Sequence, residues 1–183
     1  QTCALPISVG YSMGGMISIL FTLKYKNMTE KLILLNTSYK GPDRMKLGNF
    51  EFDLKRFDPV AKFLGKKINQ KKYRKDNVDL TKFRNARRID IIVHRIRMLK
   101  IPDVLDYLNE MYSLRIRSRL KEIDKKTLVI GSGNDEYFSN ETQKRLAKML
   151  PNAKLKIVLG THRDVLRKPD LYSREIDEFL KSK

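Results

Sequence analysis

The sequence predicts an α/β fold: a mainly parallel sheet covered by helices on both faces, interrupted by one helical insert. Three observations carry that expectation. Strand-like and helix-like stretches alternate at both ends of the chain. The run KLILLNTS is continuously apolar, as a strand covered on two sides must be. The pentapeptide GYSMG stands where a strand gives way to a helix.

Length and composition fit that class. The chain has 183 residues, 41% hydrophobic and 33% charged, enough for one domain with its own core, and no apolar run approaches the roughly 20 residues of a membrane span. Integral membrane insertion is therefore not expected, and the expected location is cytoplasmic. Back-translated, QTCALPI can be written CAG ACG TGT GCT CTT CCG ATC, the end of a short-read sequencing adapter. Residues 1–8 are accordingly read as a translated scar, with the natural protein beginning upstream. Cys3, the single cysteine, then says nothing of redox compartment.

The elements follow in order. ISVGYS ends a strand. MGGMISILFTLKYK follows as a helix that is apolar on most sides through Met16, Ile17, Ile19, Leu20, Phe21 and Leu23, and is expected to be buried. KLILLNTS supplies the next strand. Near the C-terminus KTLVIGSG reads as a strand, SNETQKRLAKML as a helix capped by Ser139 or Asn140, AKLKIVLG as a strand and KPDLYSREIDEFLKS as the closing helix. The core is thus expected over residues 9–39 and 127–183.

Residues 40–126 break the alternation and are read as a helical insert. Ile89, Ile92, Val93, Ile96 and Leu99 recur at spacings of three and four, and Val104, Leu105, Leu108, Met111 and Tyr112 do so again beyond the break at Ile101-Pro102. Between Lys40 and Lys126 stand 25 basic and 12 acidic residues, so +13 of the net charge of +18 belongs to the insert. Such a surface is suited to an acidic partner. Nucleic acid is not the expected one, because no aromatic-flanked basic motif or nucleic-acid fold signature accompanies the charge.

The chemistry centres on Gly10 to Gly14, a G-x-S-x-G pattern between strand and helix, the arrangement called a nucleophile elbow. The turn strains the backbone of Ser12 and lifts its hydroxyl above the sheet. Gly10 and Gly14 are expected to leave room where a Cβ would meet backbone. A serine nucleophile needs a base, and the base needs a group to orient it. Two histidines are available. His94 lies among Arg95 and Arg97 in the insert and is expected to be structural. His162 follows KIVLG, at the C-terminal end of a strand, where an open parallel sheet gathers its functional groups. The expected orienter is Asp135, which follows the strand TLVIG at the same end of the sheet. Its neighbour Glu136 is expected to point elsewhere, and Asp164 stands too near His162 in sequence to reach the ring from behind.

The order Ser12, Asp135, His162, together with VGYSMGG, LVIGSGNDEYFS and the long C-terminal match LPNAKLKIVLGTHRDVLRKPDLYSREIDEFL, resembles the α/β-hydrolase superfamily. The resemblance covers Val9 to the C-terminus. It implies a helical cap, here the insert, between the sixth and seventh family strands. Ser12 in place of an aspartate speaks against the dehalogenase branch. It implies catalytic roles for Ser12, Asp135 and His162, and an oxyanion site built from the backbone N–H of Met13 and a second donor from an upstream loop. No metal and no cofactor are implied. GTHRDV departs from the family in placing Arg163 directly after the histidine, which either favours an anionic group or faces solvent.

The expected activity is hydrolysis of a small-molecule carboxylic ester through an acyl-enzyme. Its alternatives are an acyltransferase, thioesterase or aminopeptidase of the same fold, and a basic binding protein with an idle triad. Asn27, Asn36 and Asn140 lie in N-x-[ST] sequons, a weak sign of secretion in so asparagine- and lysine-rich a chain.

Overall fold

The computed structural model describes residues 5–43, 45–47, 50–52, 111, 114 and 116–182. The chain divides into two units, residues 1–54 with 111–183, and residues 55–110. The described residues belong to the first. The helical readings around Ile89 to Leu108, including His94, lie outside them.

Four strands form one parallel sheet: β1 (Ser8–Tyr11), β2 (Lys31–Leu35), β5 (Lys126–Asn134) and β6 (Ala153–Thr161), in the spatial order β1-β2-β5-β6. The register aligns Gly10 with Leu34, Leu34 with Val129 and Val129 with Leu155. Among the described residues, helices lie at α1 (Met13–Lys24), α2 (Asn140–Met149), the short α3 (Asp164–Arg167) and α4 (Asp170–Lys181). Of these, α1, α2 and α4 lie where the sequence predicts helices, whereas the short α3 is not among its expectations. Ser139 caps α2, its Oγ accepting from the N–H of Thr142 at 3.2 Å, and so resolves the choice between Ser139 and Asn140.

Side-chain alternation along β2 divides the core between the two faces of the sheet. Leu32 and Leu34 pack with Ile19 and Leu23 of α1 and with Leu146 of α2. Ile33 and Leu35 point the other way, into a second cluster with Leu128, Ile130 and the α4 residues Tyr172 and Phe179. That is why the strand reads as unbroken apolar sequence. Truncating a fully buried leucine such as Leu34 would cost about 2–5 kcal/mol.

Two expectations need correction. The first is that α1 would be buried on most sides. Met16, Ile19 and Leu23 are buried, whereas Ile17 is 57% exposed and Leu20 and Phe21 are open as well. A helix lying on a sheet buries one stripe, and uniform apolarity does not change that geometry. The second concerns residues 40–126, read as a helical insert. It contains an antiparallel pair, β3 (Met45–Leu47) with β4 (Phe50–Phe52), in which Lys46 stands opposite Glu51. The apolar-polar-apolar triplets MKL and FEF, separated by Gly48-Asn49, carry a period of two that a search for helical spacing passes over. Nearer β5, a 3-10 turn at Arg117–Glu122 buries Leu120 in the α1 face of the core.

None of the described helices is long and apolar enough to cross a membrane.

Candidate active site

Ser12 sits between β1 and α1 with φ 54° and ψ −123°, a conformation that ordinary side chains rarely adopt. Three bonds hold it there. Its N–H donates to the carbonyl of Leu35 at 2.9 Å, which pins the turn to β2. Its carbonyl accepts from the N–H of Gly15 at 3.0 Å and from the Thr37 hydroxyl at 2.5 Å.

The glycines of the turn are not equivalent. A Cβ on Gly10 would lie 2.5 Å from both the carbonyl oxygen of Gly14 and the Cα of Gly15, so that glycine is demanded by backbone packing. A Cβ on Gly14 would meet nothing within 4 Å, contrary to expectation. The second close approach falls instead at Gly15, where a Cβ would lie 2.5 Å from the side chain of Thr37. The helix leaves the elbow turned so that Gly15, not Gly14, faces the loop after β2.

The C-terminal ends of β1, β5 and β6 bring the three expected residues together. His162 Nε2 lies 3.0 Å from Ser12 Oγ, and His162 Nδ1 lies 2.9 Å from Asp135 Oδ2. Asp135 has a fully buried side chain, and its other oxygen, Oδ1, accepts the N–H groups of Tyr137 and Phe138 at 2.8 and 2.9 Å. The rings of Tyr11, Tyr137 and Phe138 surround the imidazole, with centroids 5.1, 4.7 and 5.7 Å away, and keep bulk water from its flanks.

Residues that sequence reasoning passed over hold the backbone of His162. Its carbonyl accepts from the Tyr11 hydroxyl at 3.0 Å and from the Asn36 amide at 3.1 Å. Burial, followed by the charge of Asp135, pushes the Tyr11 phenol above its usual value of 10, which keeps it protonated and able to donate. Asn36 has φ 44°, in the left-handed region that asparagine tolerates better than most residues, and is fully buried. Its amide also donates to Ser132 Oγ at 2.8 Å, and Ser132 Oγ lies 2.6 Å from the Tyr172 hydroxyl. The sequence marked Asn36 only as a sequon. In the fold its amide is committed to this buried network.

Other acidic neighbours take separate roles. Glu136 is not turned away: its Oε2 accepts the backbone N–H of His162 at 2.9 Å. Asp164, as expected, does not serve the ring. It accepts the N–H of Thr161 at 2.8 Å, and that bond holds its carboxyl below the usual aspartate range. Arg163 is exposed. Asp43, unremarked in the sequence, ties the loop after β2 to the loop that carries Asp135. Its N–H donates to the carbonyl of Tyr137 at 2.8 Å, and its Oδ2 accepts from Ser139 N, Ser139 Oγ and Thr142 Oγ1.

Met13 opens α1, so its N–H is one of those a helix leaves without an intrahelical acceptor. It follows Ser12 directly, the position to which the family resemblance gives an oxyanion donor. Among the described residues no group of three or more His, Cys, Asp or Glu side chains could hold a metal ion.

The parallel sheet, its covering helices and the strained serine turn are those of the α/β-hydrolase superfamily. Within it, the chain belongs to the serine aminopeptidase S33 family, whose model matches residues 5–162. Solved structures with the same fold include a hydrolase from Pseudomonas aeruginosa PA01 (17% identity, TM-score 0.65), the enol-lactonase from Burkholderia xenovorans LB400 (17%, 0.61) and a thermophilic esterase (18%, 0.63). The alignments cover 97%, 98% and 98% of this chain but 65%, 66% and 67% of those chains. The chain therefore spans about two thirds of the length of these structures. No curated protein matches it.

Proposed function

We propose that the chain carries the catalytic centre of a serine hydrolase acting on carboxylic esters. The observation that supports this is the line of three groups in which His162 lies within hydrogen-bond distance of both Ser12 Oγ and Asp135 Oδ2. His162 Nε2 removes the hydroxyl proton as Ser12 Oγ attacks the ester carbonyl. Asp135 fixes the tautomer with the proton on Nδ1 and stabilises the imidazolium that forms. The oxyanion is met by the Met13 N–H. Collapse expels the alcohol, which takes its proton from His162. Water, deprotonated by the same base, then releases the acid and restores Ser12.

The family description favours a second reading, cleavage of an amino-terminal peptide bond. Recognition of an ammonium group calls for a spare carboxylate beside the serine. Among the described residues the two acids that serve His162, Asp135 and Glu136, are engaged by its ring and its backbone. The net charge of +18 also disfavours a cationic substrate. The two readings separate in a panel of p-nitrophenyl esters and aminoacyl p-nitroanilides. Ester turnover that disappears in Ser12→Ala supports the first; anilide turnover exceeding ester turnover favours the second.

A further inference from the structure

The dipeptide Asp135-Glu136 grips the same residue twice. Asp135 takes the ring of His162 at Nδ1, and Glu136 takes its backbone N–H. Several other N–H groups around the loop after β6 find acceptors within it. Thr161 N–H goes to Asp164 Oδ2, Leu166 N–H to the carbonyl of Arg163 and Lys168 N–H to the carbonyl of Asp164. The N–H of His162, by contrast, is served by a distant loop, across 26 residues of sequence.

We propose that Glu136 is a positioning residue for the base: by accepting the backbone N–H of His162 it fixes the peptide from which the imidazole projects. This rests on His162 being the general base proposed above.

An imidazole anchored at one atom still has freedom to move. A bond from Asp135 to Nδ1 fixes one atom of the imidazole, but the ring can pivot about that atom if the Cα moves. The carbonyl of His162 is held from the β1 and β2 side by Tyr11 and Asn36. Glu136 holds the N–H from the β5 side. With both ends of the residue fixed, Nε2 is confined to a small arc facing Ser12 Oγ. A displacement of about 1 Å at a reacting atom can cost on the order of 10²-fold in rate. A half-buried N–H without an acceptor would also destabilise the loop. The sequence gives the position a second meaning: two adjacent acids, one for the ring and one for the chain, keep both halves of the base in register with a single loop.

The test compares Glu136→Gln, which keeps a carbonyl acceptor, with Glu136→Ala, which removes it. Glu141→Ala is the control, since Glu141 is exposed and pairs only with Arg145 in the described contacts. Two readouts are taken on the full chain: hydrogen exchange of the His162 backbone amide by NMR, and the rate at which a fluorophosphonate labels Ser12. In Glu136→Ala the His162 amide is expected to lose its protection and labelling to slow by about 10- to 100-fold. Glu136→Gln is expected to retain most of both, and Glu141→Ala all of both. An amide equally protected in Glu136→Ala, or labelling at the wild-type rate, would overturn the proposal. So would Glu136→Gln failing as badly as Glu136→Ala while melting like wild type, since charge rather than the hydrogen bond would then be the cause. Wild-type protein that does not label at all contradicts the hydrolase reading instead, while the exchange measurement still decides whether Glu136 holds His162.

Discussion

The hydroxyl of Thr37 donates to the carbonyl of Ser12 at 2.5 Å, and the same side chain fills the space beside Gly15 where a Cβ would otherwise stand. One residue of the loop after β2 thus holds the strained serine from behind and sets the angle at which α1 departs. Thr37→Val keeps the shape and removes the bond. It is expected to lower stability by about 0.5–1.5 kcal/mol, read from the urea midpoint. A midpoint equal to wild type would show that the bond carries no weight.

The three glycines of the elbow give an ordered expectation. Gly10→Ala and Gly15→Ala each force an atom to within 2.5 Å of its neighbours, and both are expected to lower the melting temperature sharply or abolish folding. Gly14→Ala meets nothing and lies in the first turn of α1, so it is expected to be neutral or to stabilise by up to about 1 kcal/mol. Thermal melts of the three variants decide the matter. A Gly14→Ala protein as damaged as the other two would refute the local geometry described for the turn.

That contrast also measures what the sequence could reveal. The strand-turn-helix context of Ser12 and the position of His162 after β6 were legible because both follow from local pattern: apolar runs, a glycine turn and a polar residue at a strand end. The distinction between Gly14 and Gly15 was not, because it depends on how α1 rotates against Thr37. Asn36 was hidden for a similar reason. Its role is a left-handed backbone and two buried bonds to residues 96 and 126 positions away, and no spacing within the sequence encodes that. The exposed Ile17 face of α1 was misjudged because apolar composition reports what a helix could bury, not what lies against it.

Asp43 gives the fold a dependence on acid. Burial alone would push its carboxyl up, but hydrogen bonds from Lys40, Thr142 and Ser139 outweigh that and hold it below its ordinary value. A carboxyl with a depressed folded value stabilises the protein fully above the unfolded value of about 3.9, and the contribution fades as pH falls through the lower folded value. Asp43→Asn is therefore expected to be less stable than wild type at neutral pH and to converge with it in strong acid. Denaturant titrations from pH 7 down to pH 2 would record the convergence. A stability difference independent of pH would mean that the Asp43 charge is not what joins the two loops.

Gln143 of α2 is fully buried, and among the described residues neither polar atom of its amide has a hydrogen-bond partner. A buried amide without partners costs about 1–3 kcal/mol relative to a paired one. Gln143→Met keeps an unbranched chain of similar length in the same space and removes the polar atoms. It is expected to raise the melting temperature or leave it unchanged. Marked destabilisation would indicate that the amide is in fact satisfied in solution.

Activation of Ser12 by His162 is read out by treating the protein with a fluorophosphonate probe and mapping the adduct by peptide mass spectrometry. One adduct is expected, on Ser12, absent from Ser12→Ala and slowed by about 10³-fold or more in His162→Ala, with both variants still folded. Labelling at another residue, or labelling of Ser12 that proceeds unchanged without His162, would contradict it.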